Sequence, residues 1–212
     1  MFLINDHLFS CFFSTQFSPS GILTPNESSL TSNWSIKRIG EFSTGRYCAK
    51  KTLECLGFKH HDILIGENRE PLWPDGVTGS ISHCDNLVGA ITASTAKVKA
   101  IGLDIEIIGR VEQELWELVF TSTERDFLTQ LTPELAAVNS TIIFSAKECF
   151  YKLQYPLTKI YIDFKDVEIF IEDESLQISF VKGFEEISRL FQNVVMKYIT
   201  YNTEVITYGY LL

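Results

Sequence analysis

The sequence predicts an α+β fold in which two halves each pack helices on a small, mainly antiparallel sheet. Three observations carry this. Apolar residues recur at helical spacing over two long segments, Lys37 to Gly57 and from about Glu134 or Ser140 to Tyr155. Short alternating runs come in pairs joined by brief turns, the pattern of hairpins rather than of parallel strands with crossovers. A further strand-like run, Lys99 to Ile107, lies at the midpoint. The expected division is 1–101 and 102–212. No flexible linker marks the boundary, so tight packing of the halves is expected.

The elements follow in order. Residues 1–35 mix Phe, Ser, Asn and Pro and read as short strands and loops, with turn formers from Ser18 to Ser32. The first helix shows Phe42, Ala49, Leu53 and Leu56 on one side, and Gly57 as its stop. Ile63 to Ile65 reads as a strand. Asn68 to Gly79, with two prolines and two glycines, reads as a loop. Gly79 to His83 and Leu87 to Thr92 form a hairpin around Asp85-Asn86. Thr121-x-x-Glu124 is a capping-box pattern that starts a helix. The next helix is expected to stop at Pro156. Asp166 to Ile171 pairs with Leu176 to Val181, and Val194 to Tyr201 with Val205 to Leu211. The sequence shows no internal sequence repeat.

Composition bounds the function. The 212 residues are 45% hydrophobic, enough for a packed interior, and the net charge is -9. An acidic chain argues against non-specific nucleic-acid binding, which needs a basic face. No run of about 18 apolar residues exists, so no membrane span is expected. The N-terminus lacks the basic start of an export signal and carries Asp6 early. Cys11, Cys48, Cys55, Cys84 and Cys149 are scattered without a Cys-x-x-Cys pair. Reduced thiols in a cytoplasmic protein are expected, and no zinc site.

The chemistry concentrates in two stretches. In the strand around Gly102-Leu103-Asp104-Ile105-Glu106, alternation puts Ile101, Leu103, Ile105 and Ile107 on one face. Gly102, Asp104 and Glu106 fall on the other. Two adjacent carboxylates repel unless a cation or solvent lies between them. Mg²⁺ takes a few carboxylate oxygens together with substrate phosphate and water. A solvated outer face would show the same Asp-x-Glu pattern.

In Phe144 to Lys152, the residues Ala146, Cys149, Phe150 and Leu153 make an apolar stripe. Thr141, Ser145, Glu148 and Lys152 make a second, polar one. Glu148 is a candidate third metal ligand and Lys152 a candidate phosphate contact. An exposed i,i+4 Glu–Lys pair is the plainer alternative.

Cations lie upstream. Arg38 and Arg46, eight residues apart, share a helix face, and Arg69 sits in the proline loop. Arginine suits bidentate phosphate recognition. His83 ends a strand and is a candidate phosphate donor or acid, with Ser82 on the opposite face. No glycine-rich phosphate loop is present, so phosphate binding would rest on side chains and scattered backbone groups.

In order and spacing, these residues resemble the 4'-phosphopantetheinyl transferases. They are similar to the larger, enterobactin-synthase-component type rather than to the small trimeric acyl-carrier-protein synthases. The matching stretches are Gly45 to Ala49, Arg69 to Gly76, Gly79 to Cys84, Ile101 to Glu106, Phe120 to Glu124, and Phe144 to Lys152. The resemblance covers roughly Lys37 to Pro156. It implies a pseudo-dimer of two similar halves with the site between them, working as a monomer. It also implies transfer of 4'-phosphopantetheine from coenzyme A to a serine of an apo acyl or peptidyl carrier protein, releasing adenosine 3',5'-bisphosphate.

In that reading Asp104, Glu106 and Glu148 hold Mg²⁺. Arg38, Arg46, Arg69, Ser82, His83 and Lys152 bind coenzyme A, and Glu148, Lys152 and His83 carry catalysis. Glu148 is the first choice of base, with Glu124 or a metal-bound water as alternatives. Some relatives have a basic residue directly before the first loop proline, where this chain has Glu70. The carrier's pathway (siderophore, peptide, polyketide or fatty-acid synthesis) is left open. A Mg²⁺-dependent nucleotide phosphohydrolase and a non-catalytic binder of carrier or coenzyme A are the competing functions.

Overall fold

The computed structural model describes residues 4, 6–17, 22–181 and 183–212. They divide into two compact units, Met1–Leu103 and Asp104–Leu212.

The first unit contains β1 (Ser10–Ser14), α1 (Pro25–Ser29), α2 (Ile36–Cys55), β2 (Val77–His83) and β3 (Val88–Ser94). The three strands form an antiparallel sheet in the order β1-β3-β2. Helix α2 starts at the Ser35 cap and ends before Gly57, whose φ of 89° is the left-handed geometry that closes helices. Its inner face puts Cys48, Ala49 and Leu53 against Val77, Val88 and Ala90, with Ile63 closing the cluster.

β4 (Ala100–Ile107) runs across the division. The second unit continues with α3 (Trp116–Val119), α4 (Ser122–Thr129), α5 (Pro133–Thr158), β5 (Val167–Glu172) and β6 (Ser175–Phe180). It ends with α6 (Glu185–Leu190), β7 (Val195–Tyr201) and β8 (Glu204–Leu211). The sheet order is β4-β8-β7-β6-β5. The expected apolar stripe of α5 is its core face, since Ala146, Cys149, Phe150 and Leu153 are all buried.

The two units share a plan: a strand, a short capped helix, a long helix, then a hairpin whose last strand lies beside the first strand. β1-β3-β2 therefore corresponds to β4-β8-β7. The hairpin β5-β6 and α6 are additions of the second unit that extend the sheet beyond β7. This shared topology bears out the expected pair of similar halves. It leaves no run of matching residues because it is kept in topology and in a few polar contacts.

Three expectations change. Residues 25–29 are helical, because Thr24 caps the chain, Pro25 starts it and Glu27 completes a capping box. Ile63 to Ile65 is not a regular strand but contributes one bridge, Ile65 to Pro71. Its backbone is held instead by side chains: Ile63 N–H donates to Glu27, and Arg46 donates to the carbonyls of Ile63 and Leu64. Pro156 lies inside α5 rather than stopping it. Gln154 bonds Thr158 and the Ile160 carbonyl, and Lys159 closes the helix in the left-handed region. The strands and turns expected over residues 1–3, 5 and 18–21 lie outside the described residues. No helix among the described residues is long and apolar enough to cross a membrane. None of the five cysteines is in a disulfide.

Candidate active site

The second unit assembles the carboxylates. β4 is packed on both faces through Ile105, so Asp104 is only 2% exposed rather than solvated. Thr141 on α5 accepts the N–H of Gly109 just beyond β4, which ties the strand end to the helix. The small polar start of the second stripe, Thr141 and Ser145, is therefore packing surface. Further along α5, Lys152 Nζ donates to Asp104 Oδ1 at 2.6 Å. The lysine thus pairs with the strand carboxylate, rather than forming the exposed helix pair with Glu148.

The electrostatics identify an anionic group. Burial, then the Asp104 charge, pushes Glu106 up to about 7, with Glu148 adding and Lys152 and Arg110 opposing. Burial also raises Glu148, opposed by Lys152 and reinforced by Asp104. Three carboxylates thus share the field of Lys152, and the local balance favours an added cation.

The expected three-ligand metal site is nevertheless not preformed. Among the described residues, no group of three or more His, Cys, Asp or Glu side chains is arranged to hold an ion. The Lys152 ammonium takes an oxygen of Asp104. The donor set still suits Mg²⁺, a hard ion that uses one or two protein carboxylates with phosphate and water completing its shell.

Glu124 was the alternative base. It is buried and accepts from Lys147 Nζ at 2.6 Å and from the N–H groups of Thr121 and Ile169. Its oxygens are committed to structure, so it is removed as a base. Beside Glu148 lies a cavity of about 250 Å³ lined by Tyr151, Tyr161 and Phe164.

The first unit gathers cations. A cleft of about 810 Å³ is lined by Lys37, Arg38, Arg46, Arg69 and His83, with Trp34 and Phe42. The Arg38 guanidinium stacks 4.2 Å over Trp34, and that of Arg46 stacks 4.1 Å over Phe42. Arg46 is buried, which pulls its pKa down to about 10, and its Nε donates to the Ile63 carbonyl at 2.7 Å. Arg69 reaches the cleft from a left-handed residue with φ 66°. Glu70 instead turns into its own loop, accepting from Asn68 N–H.

His83 is exposed at the end of β2 and lines the cleft. Ser82, its neighbour on β2, is buried and is not among the residues that line the cleft. The aromatic part of the cleft was missed. Its signal was present: Trp34, Arg38, Phe42 and Arg46 follow at spacings of four, the rhythm of a helical ladder.

Two family models match the chain. The 4'-phosphopantetheinyl transferase N-terminal domain covers residues 26–93, and the 4'-phosphopantetheinyl transferase superfamily covers residues 100–200. The chain is 34% identical to 4'-phosphopantetheinyl transferase Svp of Streptomyces mobaraensis, over 74% of this chain and 64% of that protein. It is 33% identical to 4'-phosphopantetheinyl transferase Npt of Nocardia iowensis, over 71% and 67%.

The chain belongs to the 4'-phosphopantetheinyl transferase family.

It spans about two thirds of the length of these curated relatives. Among solved structures it is similar to the holo-[acyl-carrier-protein] synthase of Thermotoga maritima, with a TM-score of 0.44 and 17% identity, over 54% of this chain and 63% of that one. The two family models fall on either side of residue 100. The cation cleft lies in the stretch matched by the first, and the carboxylate group in that matched by the second.

Proposed function

We propose that the protein transfers the 4'-phosphopantetheine group of coenzyme A to a serine of an apo acyl or peptidyl carrier protein. The observation that carries this reading is the anionic group of Asp104, Glu106 and Glu148 around Lys152, in a member of this family. In the step, the serine oxygen forms a bond to the phosphorus that bears the pantetheine arm. The bond from that phosphorus to the bridging pyrophosphate oxygen breaks, and adenosine 3',5'-bisphosphate leaves with the electron pair.

Asp104 and Glu106, with Glu148, are the residues that would hold Mg²⁺. The ion when bound supplies charge neutralisation at the pyrophosphate. Lys152 contributes a positive charge to the same group. Glu148 takes the serine proton, a role supported by its place on the long helix α5 among the carboxylates around Lys152. Arg38, Arg69 and His83 bind the donor's phosphates. Arg46 contributes from the cleft wall while bonded to backbone. The protein works as a monomer, in the cytoplasm where its five thiols stay reduced.

The test incubates the protein with coenzyme A, Mg²⁺ and a panel of apo carriers, and weighs the carriers. A gain of one phosphopantetheine on a serine is expected. No gain on any carrier would sink the reading. Hydrolysis of coenzyme A without a carrier would replace it with a phosphohydrolase, and binding without turnover with a binder.

A further inference from the structure

The two units repeat one buried polar contact atom for atom. In the first, Glu27 is fully buried. Its Oε2 accepts from Thr24 N–H and Lys50 Nζ, and its Oε1 accepts from Ile63 N–H. In the second, Glu124 is 3% exposed. Its Oε2 accepts from Thr121 N–H and Lys147 Nζ, and its Oε1 accepts from Ile169 N–H. Thr24 and Thr121, Glu27 and Glu124, and Lys50 and Lys147 are each 97 positions apart, as are the first residues of α2 and α5. Each carboxylate therefore ties a short helix, a long helix and the segment after the long helix at one point.

What each latch holds differs. In the first unit the held residue is Ile63, gripped on its other side by Arg46 through the carbonyl. Ile65, two residues on, bridges to Pro71 and closes the loop that presents Arg69 to the cation cleft. In the second unit Lys147 also donates to the carbonyls of Val119 and Phe164. All three ammonium protons are used, so this lysine has none left for a substrate. Phe164 belongs to the wall of the cavity beside Glu148, and Glu148 is the next residue on α5.

We propose that these latches are positioning elements with separate tasks: Glu27–Lys50 holds the anion cleft in its binding shape, and Glu124–Lys147 holds Glu148 and the cavity wall for the chemical step. Glu27 and Lys50 do not line the cation cleft, and Lys147, at the wall of the cavity beside Glu148, has its three protons committed to Glu124, Val119 and Phe164. A buried ion pair also carries a large desolvation cost, so stability alone is a weak reason for keeping two of them.

The separation of tasks rests on the transferase reading, and the experiment keeps the two apart. Glu27→Gln and Glu124→Gln are compared by amide hydrogen exchange, by calorimetric binding of coenzyme A, and by transfer kinetics. Glu27→Gln is expected to speed exchange over residues 61–71 and weaken coenzyme A binding about tenfold, with kcat within about twofold. Glu124→Gln is expected to speed exchange over residues 160–169 and lower kcat about 10- to 100-fold, with binding unchanged.

If a single variant does not fold, Glu27→Gln/Lys50→Met or Glu124→Gln/Lys147→Met removes the stranded charge as well. The same binding and kinetic signature in both variants, or unchanged local exchange, overturns the proposal. If the unaltered protein neither binds coenzyme A nor transfers, the transferase reading and the separate tasks fall together. The exchange arm still decides whether each latch holds its segment.

Discussion

The first and second units are built on the same plan and differ in charge, the first balanced and the second acidic. Up to Leu103 the chain carries nine Lys and Arg against nine Asp and Glu. From Asp104 onward it carries nine against eighteen, so the whole net charge of -9 belongs to the second unit. Yet α2 and α5 begin 97 positions apart behind Ser35 and Thr132 caps, and each carries a lysine latched to a capping-box glutamate. One position past each lysine the likeness ends. Lys51 on α2 is matched by Glu148 on α5, and Cys55 by Lys152. Successive helix residues lie about 100° apart around the axis, so the latch occupies one face and the variable residue the next. The scaffold was kept on the latch face, and the chemistry changed beside it.

The largest expected effect tests that difference. Glu148→Ala or Asp104→Ala should lower carrier modification by about 10³-fold or more while the protein stays folded. Lys51→Ala, at the matched position of the first unit, should change it less than about twofold. Lys51 is exposed at the cleft-free side of its own Glu54 pair and Tyr47 ring. Circular dichroism with transfer rates reads both. Equal losses at positions 51 and 148 would break the comparison.

Much of this was legible in the sequence, for a physical reason in each case. Helix α2 and the hairpins β2-β3, β5-β6 and β7-β8 announce themselves through periodicity and turn residues, which are local signals. Asp104, Glu148 and Lys152 were legible because alternation and helical phase separate them from the apolar positions. What was not legible is tertiary. Lys152 faces Asp104 rather than Glu148, and that depends on a contact spanning 48 residues. Glu124 reads as a helix cap and is one, but only the fold reveals that Lys147 and Ile169 claim it too. Ile63 to Ile65 has strand propensity, but the Glu27 and Arg46 side chains hold the backbone of Ile63 and Leu64. Thr24-Pro25-Asn26-Glu27 was, with the Trp34–Arg46 ladder, a local signal passed over, because surrounding turn formers masked it.

The cores offer the next contrast. Leu53 and Phe150 occupy matched positions and are both about 1% exposed. Phe150 lies edge-on to Phe180 and Phe191 at 5.7 and 5.3 Å, residues of the second unit's added segment. Leu53→Ala should cost about 2–5 kcal/mol and Phe150→Ala about 3–5 kcal/mol in urea unfolding, with Phe150 the larger. A smaller loss at Phe150 would mean that β6 and α6 add little to the second core.

Two strand glycines should give smaller losses. A Cβ on Gly79 in β2 would lie 2.7 Å from the Trp73 ring and 2.9 Å from the Ile91 carbonyl oxygen, neither of which yields easily. On Gly209 in β8 it would meet the Met196 side chain at 2.7 Å, which bends away, and the Val195 oxygen at 3.2 Å. Gly79→Ala should cost about 1–3 kcal/mol and Gly209→Ala less, read as urea midpoints. The reverse order would show that the first sheet is the more yielding.

The smallest effect concerns thiols. Cys48 on α2 is fully buried and burial pushes its pKa up to about 12, from 9.0 for a free thiol. Between those values the unfolded chain releases the proton and the folded chain keeps it, so stability should fall as pH rises above 9 and be unaffected by this group below it. Its share amounts to about 1 kcal/mol between pH 9 and pH 10. The matched residue on α5 is Ser145, which does not ionise there. Cys48→Ser should therefore remove its share of the alkaline loss and make the two helices alike at this position. Cys55, exposed at the end of the same helix, should react with a thiol reagent at once, while Cys48 waits for unfolding. Prompt labelling of Cys48 in the folded protein, or an unchanged alkaline slope in Cys48→Ser, would show that the α2 core opens far more readily than its packing against β3 implies.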